Sequence, residues 1–454
     1  MRPRSLAEIA AATRGVVVGD DDERVAAVST DSRSTIAGSL FVAIAGERTD
    51  GHRFIDDAFE RGASAALVGV GRTDRVPRVE VSSTSEALLA LAAHERRAFG
   101  GTVVAVTGAN GKTSTKDLAA AVLSARFRVH ASPASFNNEV GVPATLLGAS
   151  EDAEVIVAEL GARREGDVAL LMGIAEPSVV VVTNVGLAHI GVFGSWEAIV
   201  RASAEPVAAL GADGVAILNA DDPVVAGYRP SGDGRVVTFG ISRGSDVRAR
   251  AVTVGSDGRA TFDLVAGGDR ERVTLTVPGE HMVPNALAAA TVGIELGVPL
   301  DACAAALARA SVSRWRMESF EGRAGIRVLN DAYNANPESV AAAMKTAKVM
   351  AGEARVIAVL GRMAELGDVA EREHERIGEL AARLRIDRLI TVGTEAKTIA
   401  VAGVREGVEP DAVASYDDVE AALADVLAHA RAGDLVLIKG SRVVGLETLA
   451  ETLR

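Results

Sequence analysis

Short apolar runs rich in valine alternate along this chain with longer stretches whose apolar residues recur at helical spacing. Val155–Val157 and Val179–Val182 are short, β-branched apolar runs bounded by polar residues, and Thr102–Val106 reads as a further strand. Such runs fit parallel strands buried on both faces. Helical stretches fall between them, so the middle of the chain reads as β-α-β units. The first segment predicts strands at Val25–Val28, Leu40–Ala43 and Ala65–Val68, with helices at Ile55–Arg61 and Ser85–Phe99. Residues Val236–Val277 alternate apolar and polar between Gly/Asp turns, which predicts an antiparallel patch, followed by helices at Asn285–Glu295 and Asp301–Ala308. From about residue 320 the β/α alternation returns. Strands are expected at Ile326–Leu329, Arg355–Leu360, Arg388–Val392 and Leu435–Lys439, with helices at Glu338–Met350, Glu373–Leu384 and Asp418–Ala430. That pattern suits a second doubly wound sheet. The chain therefore divides into three α/β segments, 1–98, 99–319 and 320–454.

Composition narrows the class. The 454 residues are 48% hydrophobic and 24% charged, an ordinary globular balance, and only 3% aromatic, so the cores must be aliphatic. A net charge of -13 argues against nucleic acid as the main partner. It leaves room for a local basic pocket. The single cysteine, Cys303, lies in an alanine-rich helical run and reads as a small buried apolar residue. One cysteine allows no internal disulfide, which suits a reducing compartment. No apolar stretch approaches the about 18 residues a membrane helix needs. The N-terminal run is too short and too polar for a secretory signal. A cytoplasmic protein without membrane insertion is the expectation.

The stretch VVAVTGANGKTSTKD, Val103–Asp117, carries the first chemistry. It reads as strand, glycine turn and helix, with Gly-Lys-Thr at the turn. The usual phosphate loop places four residues between its first glycine and the Gly-Lys pair. Here only Ala109 and Asn110 separate Gly108 from Gly111, and Val106 stands where an earlier glycine would be. As a string the match is weak, because glycine turns before helices also serve packing. Its context is stronger. Lys112, Thr113 and Ser114 fall in a first helical turn, where free N–H groups and the helix dipole favour an anion. Gly108 and Gly111 let the backbone approach a phosphate. Lys112 suits the β- and γ-phosphates, and the Thr113 hydroxyl suits Mg²⁺. Glu159 ends a central strand, where ligands sit in open α/β sheets. His189 follows the next strand by a few residues. A lone histidine is often structural, but this position favours function.

TGANGKTST, the Glu159 region AELGAR, TNVGLAHIGVFGS and DAYNANPES together resemble the ATP-dependent Mur ligases of bacterial cell-wall synthesis. The shortened loop is that family's form, and the resemblance covers essentially the whole chain. Further stretches are SFNNEVGVP, SRWRMES, VLGRMAELG and VLIKGSR. With DAYNANPES they look like the branch that adds D-alanyl-D-alanine to UDP-N-acetylmuramoyl-tripeptide. STDSR and GERTDGHRFI are similar to a uridine-diphosphate domain. The resemblance implies a small N-terminal UDP-sugar-binding domain, a central ATP-binding domain with a mostly parallel sheet, and a Rossmann-like C-terminal domain. It implies an acyl phosphate formed from ATP and attacked by an amine, in peptidoglycan synthesis and through it cell shape and division. The chain is expected to act as a monomer.

Residue roles carry over motif by motif. Gly108, Ala109, Asn110, Gly111, Lys112, Thr113 and Ser114 should wrap the phosphates. Thr113 and Glu159 should ligate one Mg²⁺, and His189 a second, or else orient the attacked phosphate. Lys112, Glu159 and His189 are the catalytic candidates. Asn285 looks like the adenine contact, with a helix N-cap as the competing role. Arg316 and Asp331 look like phosphate and ribose contacts, and Asn334 and Asn336 belong to the same surface. A helix-capping turn at Asn336-Pro337 competes for Asn336. Asp31, Ser32 and Arg33, with Asp50, Gly51 and His52, are candidates for the UDP-sugar, as are Asn137 and Asn138 for the sugar-peptide. Lys439 and Arg442 either face an anionic substrate or form a solvated basic patch.

Two positions depart from the family. Met282 stands where an asparagine is common. Ser203 stands where the family commonly has a lysine that is carbamylated to hold a metal, and serine cannot carry a carbamate. A relative adding the third stem residue, or a degenerate nucleotide-binding member, are the alternatives. DAYNANP opposes the first. Only Ser203 and Met282 favour the second. Because Asp331 lies beyond the central segment, the third is expected to swing in over the nucleotide.

Overall fold

A computed structural model describes residues 1–46 and 49–454. Glu47 and Arg48 of the GERTDGHRFI stretch lie outside the described residues. The architecture is three-domain α/β, with sheets of five, nine and six strands in chain order and a small two-stranded ribbon at the N-terminus.

The central sheet fixes the site. Thr102–Thr107 lies in its middle, paired in parallel with Val155–Glu159 on one side and Val179–Val182 on the other. Its side chains alternate between two buried clusters. Val104 and Val106 pack with Leu118 and Val122 of the helix Lys112–Leu123; Val103 and Ala105 pack with Leu146 and Leu171 on the opposite face. Both faces are covered, which explains the unbroken apolar runs. The carboxyl ends of these three strands carry the phosphate loop, Glu159 and the segment leading to His189.

The Val236–Val277 region differs from expectation. Arg235–Gly240 is parallel to Val215–Asn219, and it meets Val247–Val254 in parallel as well. Only Val247–Val254, Arg259–Ala266 and Asp269–Pro278 are antiparallel, and they extend the main sheet without a break. The expected strand Val25–Val28 is two pieces. Arg24–Val25 pairs with Arg4–Ser5, whereas Ala27–Ser29 joins the five-stranded sheet.

In the third sheet, Leu435–Lys439 inserts between Arg327–Asn330 and Val356–Gly361. Val340, Ile377 and Ile399 cover one face; Val426, Leu446 and Leu449 cover the other. The sheet is therefore doubly wound, as expected. The cluster under the phosphate-loop helix continues through Met317 and Met350 into this domain. No helix among the described residues is long and apolar enough to cross a membrane.

Candidate active site

The phosphate loop is stabilised by the neighbouring strand's end. The Ala109 N–H donates to the Asn184 carbonyl at 2.9 Å, and the Asn110 N–H donates to Asn184 Oδ1 at 2.8 Å. Gly108 and Gly111 have φ of 130° and 80°, the left-handed range open to glycine. Space demands glycine too. A methyl on Gly108 would meet Thr183 Oγ1 at 2.1 Å, and one on Gly111 would meet Asn285 Oδ1 at 2.3 Å. Lys112 folds back over the loop, donating to the Gly108 carbonyl at 2.7 Å and the Ala109 carbonyl at 3.2 Å. Burial pushes its ammonium pKa down, Arg316 adds to that, and the Glu159 charge opposes it. An anion at the loop would meet the cation already in place.

Thr113, 1% exposed, and Ser114 are buried in the first helical turn. The Thr113 hydroxyl donates to Glu159 Oε2 at 2.7 Å, and Asn137 Nδ2 donates to Glu159 Oε1 at 2.7 Å. Glu159 is 1% exposed and is held here by neutral donors. A buried carboxylate held so needs positive charge. The hydroxyl and carboxylate oxygens are the hard donors Mg²⁺ takes, so the residues fit that ion. Arg316 Nη2 donates to both Thr113 Oγ1 and Ser135 Oγ at 2.8 Å, while its guanidinium lies 4.1 Å from the Tyr333 ring centre. Arg316 Nε is buried without a partner among the described residues, a donor that a phosphate oxygen would satisfy.

The third domain reaches the same loop. Asn336 Nδ2 donates to Asn110 Oδ1 at 2.6 Å, and Asn336 Oδ1 caps the helix Pro337–Ala351. The capping role and a loop contact thus coexist. Asp331 Oδ1 accepts from the Met317 N–H at 3.1 Å, and its other oxygen pairs with Lys439. Asn334 is exposed, and its carbonyl accepts from Lys439 Nζ at 2.9 Å.

His189 has its Nδ1 on the Glu365 carboxylate. Burial, reinforced by the Lys112 charge, pushes its pKa down, while the Glu365 carboxylate opposes that shift.

Several readings change. Asn285 is not an N-cap, because the helix begins at Met282; its Oδ1 faces Gly111 instead. Lys439 is no solvated patch; it is 2% exposed and engaged with Asp331. Arg442 is half exposed, paired with Glu447 and stacked 4.5 Å over Trp315. Asn138 Oδ1 accepts from the Gly141 N–H at 2.9 Å at the start of the next helix. Ser203 hydrogen-bonds the Tyr228 hydroxyl at 2.5 Å. Glu205, in the same helix as Ser203, accepts from the Gly166 and Ala169 N–H groups at 2.6 and 2.9 Å at the start of Asp167–Ala175. The UDP-sugar candidates form two short turns, Ser32–Ser34 and Gly51–Phe54, that both pack on Ile55–Glu60. Arg33 is largely exposed and pairs with Asp31, and His52 bridges Asp50 to the Gly69 N–H. Neither turn is hydrogen-bonded to the phosphate loop among the described residues.

Sequence reasoning missed Ser135, Glu365 and Asp117. All three lie inside quoted stretches, SFNNEVGVP, VLGRMAELG and VVAVTGANGKTSTKD. Asp117 Oδ2 accepts from the Ser313 N–H at 2.7 Å and hydroxyl at 2.8 Å, tying the phosphate helix to the segment that bears Arg316. Its helical spacing from Thr113, i to i+4, was the available signal.

Three family descriptions match the chain in order: Mur ligase family, catalytic domain, at residues 24–96; Mur ligase middle domain at 106–293; and Mur ligase, glutamate ligase domain, at 315–442. The chain belongs to the Mur ligase family. Among its relatives is the UDP-N-acetylmuramoyl-tripeptide--D-alanyl-D-alanine ligase of Mycobacterium tuberculosis (strain ATCC 25618 / H37Rv). It is 40% identical over 94% of this chain and 91% of its own length. Among solved structures, MurF from Acinetobacter baumannii superposes with a TM-score of 0.87 at 30% identity over 99% of both chains. MurF ligase from Thermotoga maritima in complex with ADP gives 0.79 at 28% identity over 94% of this chain and 96% of its own. Within this Mur ligase, loop, carboxylate and histidine fall at the ends of three adjacent strands.

Proposed function

We propose that this chain is an ATP-dependent amide ligase that joins D-alanyl-D-alanine to UDP-N-acetylmuramoyl-tripeptide. The products are ADP, phosphate and UDP-N-acetylmuramoyl-pentapeptide. The observation that carries the reading is the cluster of Thr113, Glu159 and Arg316 on the phosphate loop. A cation-ready carboxylate and an arginine from the end of the central segment lie together beside the loop that would take a nucleotide's phosphates. The choice of substrates rests on the relatives that carry this name at near full length.

Lys112 and Arg316 would hold the γ-phosphate against the tripeptide carboxylate, two anions that repel without them. Mg²⁺, held by Thr113 and Glu159, would add charge neutralisation between the phosphates. His189 would offer Nε2 to that site. Asn285, packed on Gly111, supports the loop as well as facing the nucleotide. Asp331, Asn334 and Asn336 would close over the ribose side. Asp31, Ser32, Arg33, Asp50, Gly51 and His52 would take the uridine-diphosphate end, with Asn137 and Asn138 between. We place the protein in the cytoplasm, acting as a monomer in peptidoglycan synthesis.

The test is phosphate release from ATP with the two substrates supplied singly and together. Release requiring both, with a pentapeptide product, is the expected result, and it would show that Ser203 is tolerated. Tight nucleotide binding without release under any combination would overturn the reading in favour of a degenerate binding protein.

A further inference from the structure

Two non-glycine residues with left-handed backbone meet across the boundary between the central and third domains. His189 has φ of 63° and Glu365 of 62°. This conformation costs a non-glycine residue about 1 kcal/mol or more, so the surroundings must hold both in place. Three contacts converge on Glu365. Its Oε2 accepts from His189 Nδ1. Its carbonyl accepts from the Gly191 N–H at 2.9 Å. Arg163 Nη2 stands 3.5 Å from Oε1. The backbones beside them touch directly. A methyl on Gly191 would lie 2.4 Å from the Gly367 nitrogen, and one on Gly367 would lie 2.7 Å from the Gly191 Cα.

The loop bearing Glu365 is itself held from behind. The Met363 N–H donates to His374 Nε2 at 2.9 Å, and the Ala364 N–H donates to Ser441 Oγ at 2.8 Å. Glu365 is therefore presented from a braced loop. A carboxylate at Nδ1 requires the proton on that nitrogen. Nε2 is then the nitrogen left to act as acceptor. His189 Nε2 has no protein partner among the described residues. A carboxylate behind a functional imidazole fixes both tautomer and ring orientation.

We propose that Glu365 is a positioning residue for His189: docking of the third domain brings its carboxylate onto Nδ1 and thereby sets Nε2 for the phosphate site. The inference rests on the amide-ligase reading of that site. Glu365 belongs to the third domain, so His189 is set only while the two domains are docked. Closure and catalytic competence become one event.

The test uses the intact chain as wild type, Glu365→Gln and Glu365→Asp. Turnover is measured with ATP, the tripeptide and D-alanyl-D-alanine, and histidine ¹⁵N spectra are recorded with ADP bound. His189 is assigned by the signal lost in His189→Asn. Glu365→Gln is expected to lower kcat about 10- to 100-fold with little change in the KM for ATP. The thermal midpoint should hold, and Glu365→Asp should recover part of the loss. The wild-type spectrum should show a protonated Nδ1 and a bare Nε2 at His189, a preference lost in Glu365→Gln. Unchanged kcat in Glu365→Gln, a loss of kcat that tracks a fall in thermal midpoint, or a wild-type His189 protonated on Nε2 would each overturn the proposal. A wild type that turns over nothing would sink the amide-ligase reading, while the spectra would still decide the role of Glu365.

Discussion

In the proposed reading, Glu159 is the one buried carboxylate on which the cation chemistry of the site would turn. Its oxygens are held by the Thr113 hydroxyl and the Asn137 amide, and the nearest cations answer to the phosphate loop as well. Removing its charge while keeping its shape separates electrostatics from packing. Glu159→Gln should fold normally, since a buried unpaired charge is replaced by a neutral amide of the same size. Its affinity for a divalent cation in the presence of ADP should fall about 10-fold or more, a change of ~1.4 kcal/mol. Isothermal titration with Mn²⁺ reads this directly; unchanged affinity would remove Glu159 from the cation site. Cys303 shows the opposite case. Burial pushes its thiol up to about 11, so it is inert, as its alanine-rich setting suggests.

At the scale of elements, the loop after Val356–Gly361 depends on a neutral histidine. His374 is 1% exposed, and both ring nitrogens are used: Nε2 accepts from Met363, and Nδ1 donates to the Ala370 carbonyl at 2.6 Å. Burial, which outweighs the bond to Ala370, lowers its pKa below the usual 6.5. The unfolded chain thus binds this proton more readily than the folded one. The stability His374 contributes is complete above about pH 6.5 and is lost as pH falls from there through the folded pKa, at up to about 1.4 kcal/mol per unit. Thermal midpoints measured from pH 7.5 to 5.5 should fall in the wild type, with that part of the slope absent in His374→Gln. Local elements of this kind are what the sequence made legible. The phosphate loop, Glu159 and His189 each announce themselves by position beside a buried strand. The pairing of Arg235–Gly240 and the insertion of Leu435–Lys439 between two earlier strands depend on partners far along the chain, which no local alternation encodes. The helix expected from Asn285 begins three residues earlier, because Met282 and Val283 are buried in its first turn.

For the whole molecule, the question is what couples the third domain to the nucleotide. Among the bonds that cross the boundary, two reach the candidate site: Asn336 to Asn110 at the phosphate loop, and the Glu365 loop to His189 and Gly191. Asn336 serves two masters, since its Oδ1 caps Pro337–Ala351 while its Nδ2 reaches Asn110. Serine caps a helix about as well as asparagine but is one reach too short for the bridge. Asn336→Ser should therefore keep the thermal midpoint, whereas Asn336→Ala should lose about 1 kcal/mol from the third domain. Both should weaken docking equally. Hydrogen exchange with ADP bound reads the docking at the Gly191 amide, which is protected by the Glu365 carbonyl only while the domains touch. Faster exchange there in both variants, with stability lost in only one, would separate the bridge from the cap. Exchange that stays slow in Asn336→Ser would mean that the Glu365 loop stays docked without the Asn336 bridge, and that the phosphate loop is closed over without being gripped from the third domain.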